Sequence, residues 1–531
     1  MTKTGNYRPP EPAYEDCALV LLDKPLPALP IVVMKFITSA SSSYRHVLPN
    51  GLVLRWSTAA DKAGCVLTSC LGLQQQEGQE TERGIKFIEP LTDDSVYNGS
   101  STNWAICVDP AAPTTSAEEA DSADYPAQMR RLARSATERV VALLYYLPGT
   151  IAFDGGLATL QLGQVHVVAC KPAYRVHGEK SGGAHIMQML FDMVNARAMQ
   201  DGCACMLVSG IPAYYRTQGY EYGLRLGSGL VTHPSALSPP KSADAGRYAL
   251  RQATQNDVSD LLKMALTSRE TADLFFSRKD DAALRLQLEH LVASDTAPFF
   301  VLETTSQADE TPHIVAAVGV VHHNPGGTRA FMHPLLWDGE EDACAVTAAL
   351  VPLLGPALEE AARKIVSEVK TITTLRWLVP DAHPLFRWLL ANQVAITPPD
   401  NSEYDHMSVS WIAIPEFTTF FQALLPALNA RLARAPFGKN YSAVLRIKAS
   451  ASGAGAIALR VSHGTVSIDP TPSREESNVM MPPAALIQLC MGFLEWRELK
   501  AVFPDFSVEG GVLPLVEVLF PKRSLGSVVN W

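Results

Sequence analysis

The sequence predicts an α+β protein, in which β-strands form sheets and amphipathic helices cover them. Apolar runs such as VHVVAC (165–170) alternate with helical patterns such as IMQMLFDMVNARAM (186–199), as expected of strands and of the helices that pack on them. A strand–turn–helix pattern at 51–75 recurs at 247–271, with an arginine and an aspartate in each copy. This recurrence predicts two diverged copies of one structural unit.

Length, charge and cysteine usage limit the class of protein. The 531 residues, 47% of them hydrophobic and 18% charged, are enough for about two to four domains with large cores. A formal net charge of −10 argues against a general nucleic-acid binder, which normally carries a basic surface. No apolar run is long enough to span a bilayer, and the polar N-terminus does not resemble a signal peptide. Nine cysteines without regular spacing predict free thiols and a cytoplasmic location.

The first half of the chain alternates strands, turns and helices. An irregular leader (1–43) precedes it, and DPAAPTTSAEEADSADYP (109–126) predicts a low-complexity surface insert. The run 139–170 predicts strand, turn and strand, with turn residues PG (148–149) and DGG (154–156). A helix and the strand ACMLVSG (204–210) follow. The apolar face of that helix, spaced at i, i+4, i+7 and i+8, consists of Ile186, Leu190, Met193 and Val194.

The second half begins after the best linker of the chain, THPSALSPPKSADAG (232–246). Strands are expected at 314–323 and 374–380 inside the second copy of the unit. A third region starts near Trp411, where near-alternating apolar runs predict an antiparallel meander. PPAALIQLCMGFLEW (482–496) then predicts a buried helix.

The stretch ACKPAYRVHGEKSGGAHIM (169–187) lies between a predicted strand and a predicted helix. A glycine-rich turn there presents backbone N–H groups and the positive end of a helix dipole, which together favour an anion such as a phosphate. A solvated surface turn is the alternative. Cys203 and Cys205 have the wrong spacing for a CxxC zinc knuckle, so no metal is expected.

Residues 164–227 resemble the GNAT acetyltransferase superfamily. The resemblance rests on the strand VHVVAC, the segment KPAYR, the helix ending in MQDG and the segment GIPAYYRTQGYEYGL (210–224). The whole chain resembles the architecture of Eis-type enzymes, which have two GNAT-like domains and a C-terminal domain like sterol carrier protein. The implied fold is a duplicated GNAT fold, a mixed central sheet with flanking helices, plus a smaller α+β domain. The implied domains are 44–231 with the cofactor loop, 247–410 without a cofactor, and 411–531, which is sterol-carrier-like.

The resemblance implies acetyl-CoA as acyl donor, with its pyrophosphate on the loop after the strand. Here the loop departs from the family pattern, since Lys180 stands where glycine or alanine belongs and the turn carries extra residues. The shifted frame EKSGGA places Gly182 and Ala184 correctly but starts on Glu179. The residues implied to hold the donor are Val167, Val168, Ala169, Arg175, Gly178, Lys180, Ser181, Gly182, Gly183 and Ala184.

Acetyl transfer from a thioester to an amine requires a base for the amine and an acid for the departing thiolate. Tyr215, four residues before Gly219, matches the general-acid tyrosine of the family; alternatively it only packs a helix on the sheet. His166 is a candidate base, because imidazole titrates near neutrality. The carboxylate of Trp531 is the second candidate, since Eis-type enzymes end in a buried carboxylate that reaches the active site.

Three functions therefore remain open from the sequence. The first is acetyl-CoA-dependent N-acetyl transfer to a small amine or a lysine side chain, by direct attack. The second is acyl transfer from a longer acyl-CoA in secondary metabolism, and the third is a non-catalytic ligand-binding GNAT relative. No nucleic-acid or membrane partner is expected, and the resemblance implies a possible homo-oligomer.

Overall fold

A computed structural model describes most of the chain from residue 45 onwards. The described residues are 45–71, 82–94, 100–111, 124–135, 138–176, 178–180, 185–210, 214–225, 230–233, 236–237, 247–278, 280–294, 298–304, 312–322, 329–337, 343–365, 374–377, 379, 383–395, 409–437, 441–449, 456–469 and 477–525. The predicted leader, most of the predicted surface insert and Trp531 lie outside these ranges. Among the described residues, no helix is both long and apolar enough to cross a bilayer.

The strands of the described residues are, in chain order, β1 (His46–Val47), β2 (Val53–Trp56), β3 (Trp104–Asp109), β4 (Arg139–Phe153), β5 (Ala158–Cys170), β6 (Cys205–Ser209), β7 (Glu221–Arg225), β8 (Leu230–Thr232), β9 (Tyr248–Gln252), β10 (Leu274–Arg278), β11 (Phe299–Thr304), β12 (Ile314–His322), β13 (Arg329–Trp337), β14 (Thr374–Trp377), β15 (Val409–Ala413), β16 (Ala443–Lys448), β17 (Ala456–Ser462), β18 (Thr465–Ile468), β19 (Val479–Met480) and β20 (Ser507–Val508).

The helices are α1 (Lys62–Cys70), α2 (Glu82–Ile88), α3 (Tyr125–Ser135), α4 (Ile186–Gln200), α5 (Val258–Thr271), α6 (Asp281–Val292), α7 (Ala343–Ile365), α8 (Pro384–Ala391), α9 (Phe417–Arg434), α10 (Pro483–Met491), α11 (Trp496–Val502) and α12 (Leu513–Leu519). Short 3-10 turns precede α1 and α5 and follow β5 and β6. Strands and helices are therefore interspersed, and the predicted α+β class is confirmed.

The first sheet collects strands from three distant stretches of the chain. Its order is β1-β2-β3-β4-β5-β6-β15-β7, and β10 pairs with the far end of β4. β5 and β6 are parallel, whereas β15 is antiparallel to both of its neighbours. In the sequence, β15 therefore comes after all the strands of the second sheet, although it belongs to the first.

The second sheet has the order β8-β14-β13-β12-β11-β9, and the third has the order β18-β17-β16-β19-β20. β16, β17 and β18 form the predicted antiparallel meander, and α10 is the predicted buried helix. The expected boundaries at 231 and 410 are crossed by sheet pairing, because β8 joins the second sheet and β15 joins the first. The division into domains stays a prediction.

The predicted strand–turn–helix units are confirmed in both copies, as β2 with α1 and β9 with α5. The helix predicted after the glycine-rich turn is also confirmed as α4. Its four predicted apolar positions are all buried, and they pack on one face of the first sheet. The other face is covered by α1 to α3 at one end and by α9 with the third sheet at the other.

The turn predicted at Pro148-Gly149 is wrong, because β4 continues through both residues to Phe153. Pro148 pairs with Gly163 of β5 and Gly149 with Leu162. Glycine at 149 instead permits close packing, since a Cβ atom there would lie 2.7 Å from the Ser277 carbonyl oxygen. The hairpin reverses at the second predicted turn, whose three residues all have positive φ: Asp154, Gly155 and Gly156.

Candidate active site

The parallel pair at the centre of the first sheet separates partway along its length. β5 and β6 pair only from Leu162–Val165 with Cys205–Val208, although β5 continues to Cys170 in contact with β4. Beyond Val165, no described strand pairs with the β6 side of β5. Backbone N–H and C=O groups on that side can therefore bind a ligand that enters between the strands.

A β-bulge distorts β5 at this opening. Leu144 pairs with Val168 and Tyr145 with His166, so Val167 is the extra residue of β5. Val167 has a φ of 47°, in the left-handed region that a β-branched residue rarely adopts. Bulges and residues in such conformations cluster at binding and catalytic sites, where they redirect backbone groups. The structure thus places the predicted donor-binding residues Val167, Val168 and Ala169 at the opening.

Polar side chains line one face of the sheet beside the opening. Along β5, Leu160 and Leu162 belong to the core under α9, and strand alternation places Gln164 and His166 on that same face. His166 is half-buried, and its Nε2 lies 3.2 Å from the Gln164 Oε1. On the neighbouring strands, Ser209 and Ser410 continue this row, with their hydroxyl oxygens 2.6 Å apart.

Tyr215 lies on the opposite face of the sheet, in the 3-10 turn Tyr214–Gln218 that follows β6. Its ring is buried and meets the rings of Phe191 and Trp411 at centroid distances of 6.0 Å each. Its hydroxyl lies 3.5 Å from the Ser209 carbonyl oxygen, at the end of β6. Gly219 ends the turn with a φ of 82°. The structure therefore places the predicted general acid next to the opening, within an aromatic cluster.

The neighbouring tyrosines have other partners. Tyr214 is half-buried and contacts the edge of Tyr215. Tyr220 is buried, and its hydroxyl donates to Asn195 of α4 at 3.2 Å. Burial raises the pKa of Tyr220 well above its usual range. Of these tyrosines, Tyr215 has its hydroxyl at the end of β6.

The loop after β5 begins with the 3-10 turn Pro172–Tyr174, which is fixed by a 2.6 Å hydrogen bond from the Tyr174 hydroxyl to Asp109. Lys180 lies over the Tyr174 ring at 5.6 Å, and the N–H of Lys180 donates to the Ala173 carbonyl at 2.8 Å. A Cβ atom at Gly178 would lie 2.4 Å from that same carbonyl oxygen. Gly178 is thus required by the close packing of the loop.

The rest of the predicted loop is only partly described. Arg175 and Lys180 are exposed and place two positive charges between β5 and α4. Ser181, Gly182, Gly183 and Ala184 lie outside the described residues, as does Trp531. His185 precedes α4, and its side chain does not cap the helix. The first backbone N–H groups of this 15-residue helix are therefore not capped by His185.

The cysteines near the site are free thiols, half-buried at Cys170 and buried at Cys203 and Cys205. Burial raises the pKa of the Cys170 thiol to about 11, and it also raises the pKa values of Cys203 and Cys205. Cys203 lies 3.5 Å from the Tyr146 hydroxyl. Among the described residues, no group of three or more potential ligand side chains can hold a metal ion.

Sequence reasoning missed two residues of the polar row, Ser209 and Ser410. Ser209 lies near the end of the predicted strand 204–210, and a polar residue at a strand end is a local signal that could have identified it. Ser410 comes next to it only through pairing across 201 residues, and no local pattern indicates such a contact. The bulge at Val167 likewise has no local signature.

Comparisons with known proteins identify the fold. No model of a known protein family matches the sequence, and no curated sequence matches it. A solved GCN5-related N-acetyltransferase from Anabaena variabilis ATCC 29413 matches with a TM-score of 0.55 and 11% identity, covering 90% of this chain and 100% of that chain. Eis1 from Mycobacterium abscessus matches with a TM-score of 0.51 and 12% identity, covering 90% and 99%.

A third match is a protein of unknown function from Enterococcus faecalis V583, described as a probable N-acyltransferase. Its TM-score is 0.54 at 12% identity, covering 90% of this chain and 99% of that chain. At these identities the likeness concerns the fold alone. The chain has the mixed-sheet fold of GNAT N-acetyltransferases, as the sequence predicted.

Proposed function

We propose that this protein is an acetyl-CoA-dependent N-acetyltransferase that acts on the amine of a small molecule or of a lysine side chain. The observation that carries the proposal is the opening between β5 and β6, with the bulge at Val167. This opening exposes backbone groups to a ligand in the middle of the sheet. The shared fold with GNAT N-acetyltransferases supports the same reading.

The donor is proposed to lie between β5 and β6, with its phosphates toward α4. Backbone groups of Val167, Val168 and Ala169 would bind the pantetheine and the thioester carbonyl. Arg175 and Lys180 supply positive charge to the pyrophosphate, and the start of α4 supplies N–H groups with the favourable end of its dipole. We propose that Ser181, Gly182, Gly183 and Ala184 complete this cradle, with Gly178 shaping the loop.

The residues at the opening fit direct attack. The amine nitrogen attacks the thioester carbonyl carbon, so that a C–N bond forms and the C–S bond breaks. His166 takes the proton that the amine loses, and Tyr215 protonates the departing thiolate. A phenol suits this last step because its unperturbed pKa, about 10, is comparable to that of a thiol. Solvent then returns a proton to Tyr215.

The carboxylate of Trp531 stays the alternative base. Leu525, the last described residue, forms a parallel bridge with Leu274 at the start of β10. β10 runs along β4 from Phe153 toward Gly149, which is the direction of His166. The six residues that follow Leu525 span at most about 20 Å when extended, which is less than the roughly 26 Å along β4 from Phe153 to Tyr145, the partner of His166. If this carboxylate is the base, removing residues 526–531 lowers kcat and leaves acetyl-CoA affinity unchanged.

Other features of the proposal follow from the sequence. The net charge of −10 favours a cationic acceptor. The cytoplasmic location, the homo-oligomer and the sterol-carrier likeness of residues 411–531 stay predictions. So does the absence of a cofactor from residues 247–410.

Calorimetric titration of the full chain with acetyl-CoA tests the proposal, beside a Gly182→Asp, Gly183→Asp variant. We expect saturable binding that the variant loses, because carboxylates in the loop repel the pyrophosphate. A matched control is Gly510→Asp, Gly511→Asp, since a Cβ atom at either position meets no atom within 4 Å. Donors of increasing acyl length then separate acetyl transfer from longer-chain transfer. Absence of binding by the unchanged protein would favour a non-catalytic ligand-binding role.

A further inference from the structure

The Ser209–Ser410 pair stands out within the first sheet. The two residues are directly paired on β6 and β15, and their hydroxyl oxygens are 2.6 Å apart. Ser410 is fully buried, whereas Ser209 is exposed. The pair thus extends from the interior of the sheet to its surface.

The pair lies at the opening between β5 and β6. Because Gln164 pairs with Leu207 and Val165 with Val208, the next step along both strands places Ser209 level with His166. This is the point at which the pairing of the two strands ends. The serines therefore flank the opening on the β6 side, and the candidate base flanks it on the β5 side.

The serines and His166 also share a face. Leu207 of β6 and Ile412 of β15 belong to the core under α9, and alternation places Ser209 and Ser410 on that side. Tyr215 packs on the other face, against α4. A donor held from the α4 side would thus present its carbonyl to an acceptor that approaches from the side of the serines.

The chemistry of the pair suits an amine. One hydroxyl donates to the other, which leaves one O–H donor and several lone pairs in the pair. A hydroxyl oxygen can accept an N–H from an ammonium, with the stronger bond, and also from a neutral amine. The pair can therefore hold the acceptor nitrogen while His166 removes its proton.

We propose that Ser209 and Ser410 form the acceptor-positioning element of the site: the exposed Ser209 hydroxyl hydrogen-bonds the primary amine that is acetylated, and the buried Ser410 hydroxyl orients Ser209. This inference rests on the proposed function. It also assigns a role to β15. This strand follows all strands of the second sheet in the sequence, yet it completes a site whose other residues come before that sheet in the sequence. The substrate class is a primary amine that reaches the sheet face opposite α4.

Steady-state kinetics of thiol release test the proposal, with acetyl-CoA as donor and a panel of primary alkylamines and lysine peptides as acceptors. We expect Ser410→Ala and Ser209→Ala each to raise the acceptor KM about threefold to tenfold, the effect of one lost hydrogen bond. The KM for acetyl-CoA should stay unchanged. The double variant should be no worse than the stronger single variant, because the two hydroxyls act as a unit.

Ser277→Ala is the matched control, because Ser277 is buried and its hydroxyl lies 3.3 Å from that of Thr150 at the far end of the sheet. It should leave both KM values unchanged. Wild-type kinetics in Ser410→Ala, or a change confined to the acetyl-CoA KM, would overturn the inference while leaving the proposed transfer intact. Absence of thiol release by the unchanged protein with every amine would overturn both.

Discussion

The first and second sheets contain the same central arrangement but differ in the residue at the bulge and in the charge of the segment that follows. In each, a parallel pair (β5 with β6, β13 with β14) ends before its longer strand does. In each, that longer strand has a bulge, at Val167 in β5 and at Pro334 in β13. Proline has no N–H and holds φ near −65°. The second sheet therefore cannot offer the backbone donor that the first sheet offers at this position.

The segments that follow differ in charge. After β5 the ten residues KPAYRVHGEK (171–180) include three cations and one carboxylate, whereas the five residues after β13, DGEED (338–342), include four carboxylates. Carboxylates at this position repel phosphates, and cations attract them. A histidine precedes the bulge in both strands (His166 and His333). The histidine alone therefore does not distinguish the two sheets; the bulge residue and the loop charge do.

Giving β5 the bulge residue of β13, proline, should have the largest effect on acetyl-CoA binding. Val167→Pro should reduce acetyl-CoA binding below detection by calorimetry, because proline removes the N–H and cannot adopt a φ of 47°. Val167→Gly is the control, and it should bind normally. Its unfolding free energy should change by less than about 1 kcal/mol, since relief of strain offsets the entropy of glycine. Normal acetyl-CoA binding by Val167→Pro would contradict the proposed role of the bulge.

The next comparison concerns Tyr215, which follows β6, the parallel partner of β5. In the second sheet the parallel partner is β14, and the sequence from β14 to the end of α8 contains no tyrosine. Tyr215→Phe should lower kcat about a hundredfold or more and leave acetyl-CoA affinity unchanged, as expected of a general acid. Tyr220→Phe is the matched control, because Tyr220 is equally buried in the same aromatic cluster. An equal loss of kcat in both variants would mean that Tyr215 only packs the turn.

A feature that the two sheets share permits a comparison of stability. Arg55 binds Asp61 through two 2.8 Å hydrogen bonds, and Arg251 binds Asp257 in the same way. The side chain of Arg55 is 8% exposed and that of Arg251 is 37% exposed. Burial therefore differs while geometry does not.

Removing each carboxylate should expose this difference. Asp61→Asn should lower the unfolding free energy by about 2 kcal/mol, because the buried Arg55 guanidinium loses its buried partner and keeps only Glu138, at 2.9 Å. Asp257→Asn should cost about 1 kcal/mol, because solvent screens Arg251. Hydrogen exchange of α1 and α5 measures each effect locally. Equal effects would show that burial does not control the strength of these pairs.

The smallest expected effect is a pH dependence at the same sites. Hydrogen bonds from Arg251 lower the pKa of Asp257 to about 2. At Asp61, burial opposes ionisation, but the bonds from Arg55 outweigh it and lower the pKa. A carboxylate whose pKa is lower in the folded than in the unfolded protein stabilises the fold at pH values above its unfolded pKa, which is near 4. This contribution is lost as the pH falls toward the folded pKa. Thermal unfolding of Asp257→Asn should thus depend less on pH between about 4 and 2 than that of the unchanged protein.

Local sequence patterns predicted much of the fold. The spacing of Ile186, Leu190, Met193 and Val194 identified the buried face of α4, because a helix repeats its neighbours every 3.6 residues. The recurrence of Arg55 and Arg251 identified two related units, since each arginine binds an aspartate six residues later along its own chain segment. The turn predicted at Pro148-Gly149 was wrong because turn-forming residues also occur where strands approach closely.

The sequence by itself determined which segments form strands and helices, which faces are apolar, and that a strand, a cationic loop and a helix follow each other at 165–200. These properties depend on neighbours within a few turns or residues. Only the tertiary structure decided that β15 enters the first sheet, that Ser410 meets Ser209, and that β5 bulges at Val167. Those features depend on backbone pairing between segments far apart in the chain. Such pairing uses backbone N–H and C=O groups, which nearly all residue types carry, so it leaves little trace in local residue types.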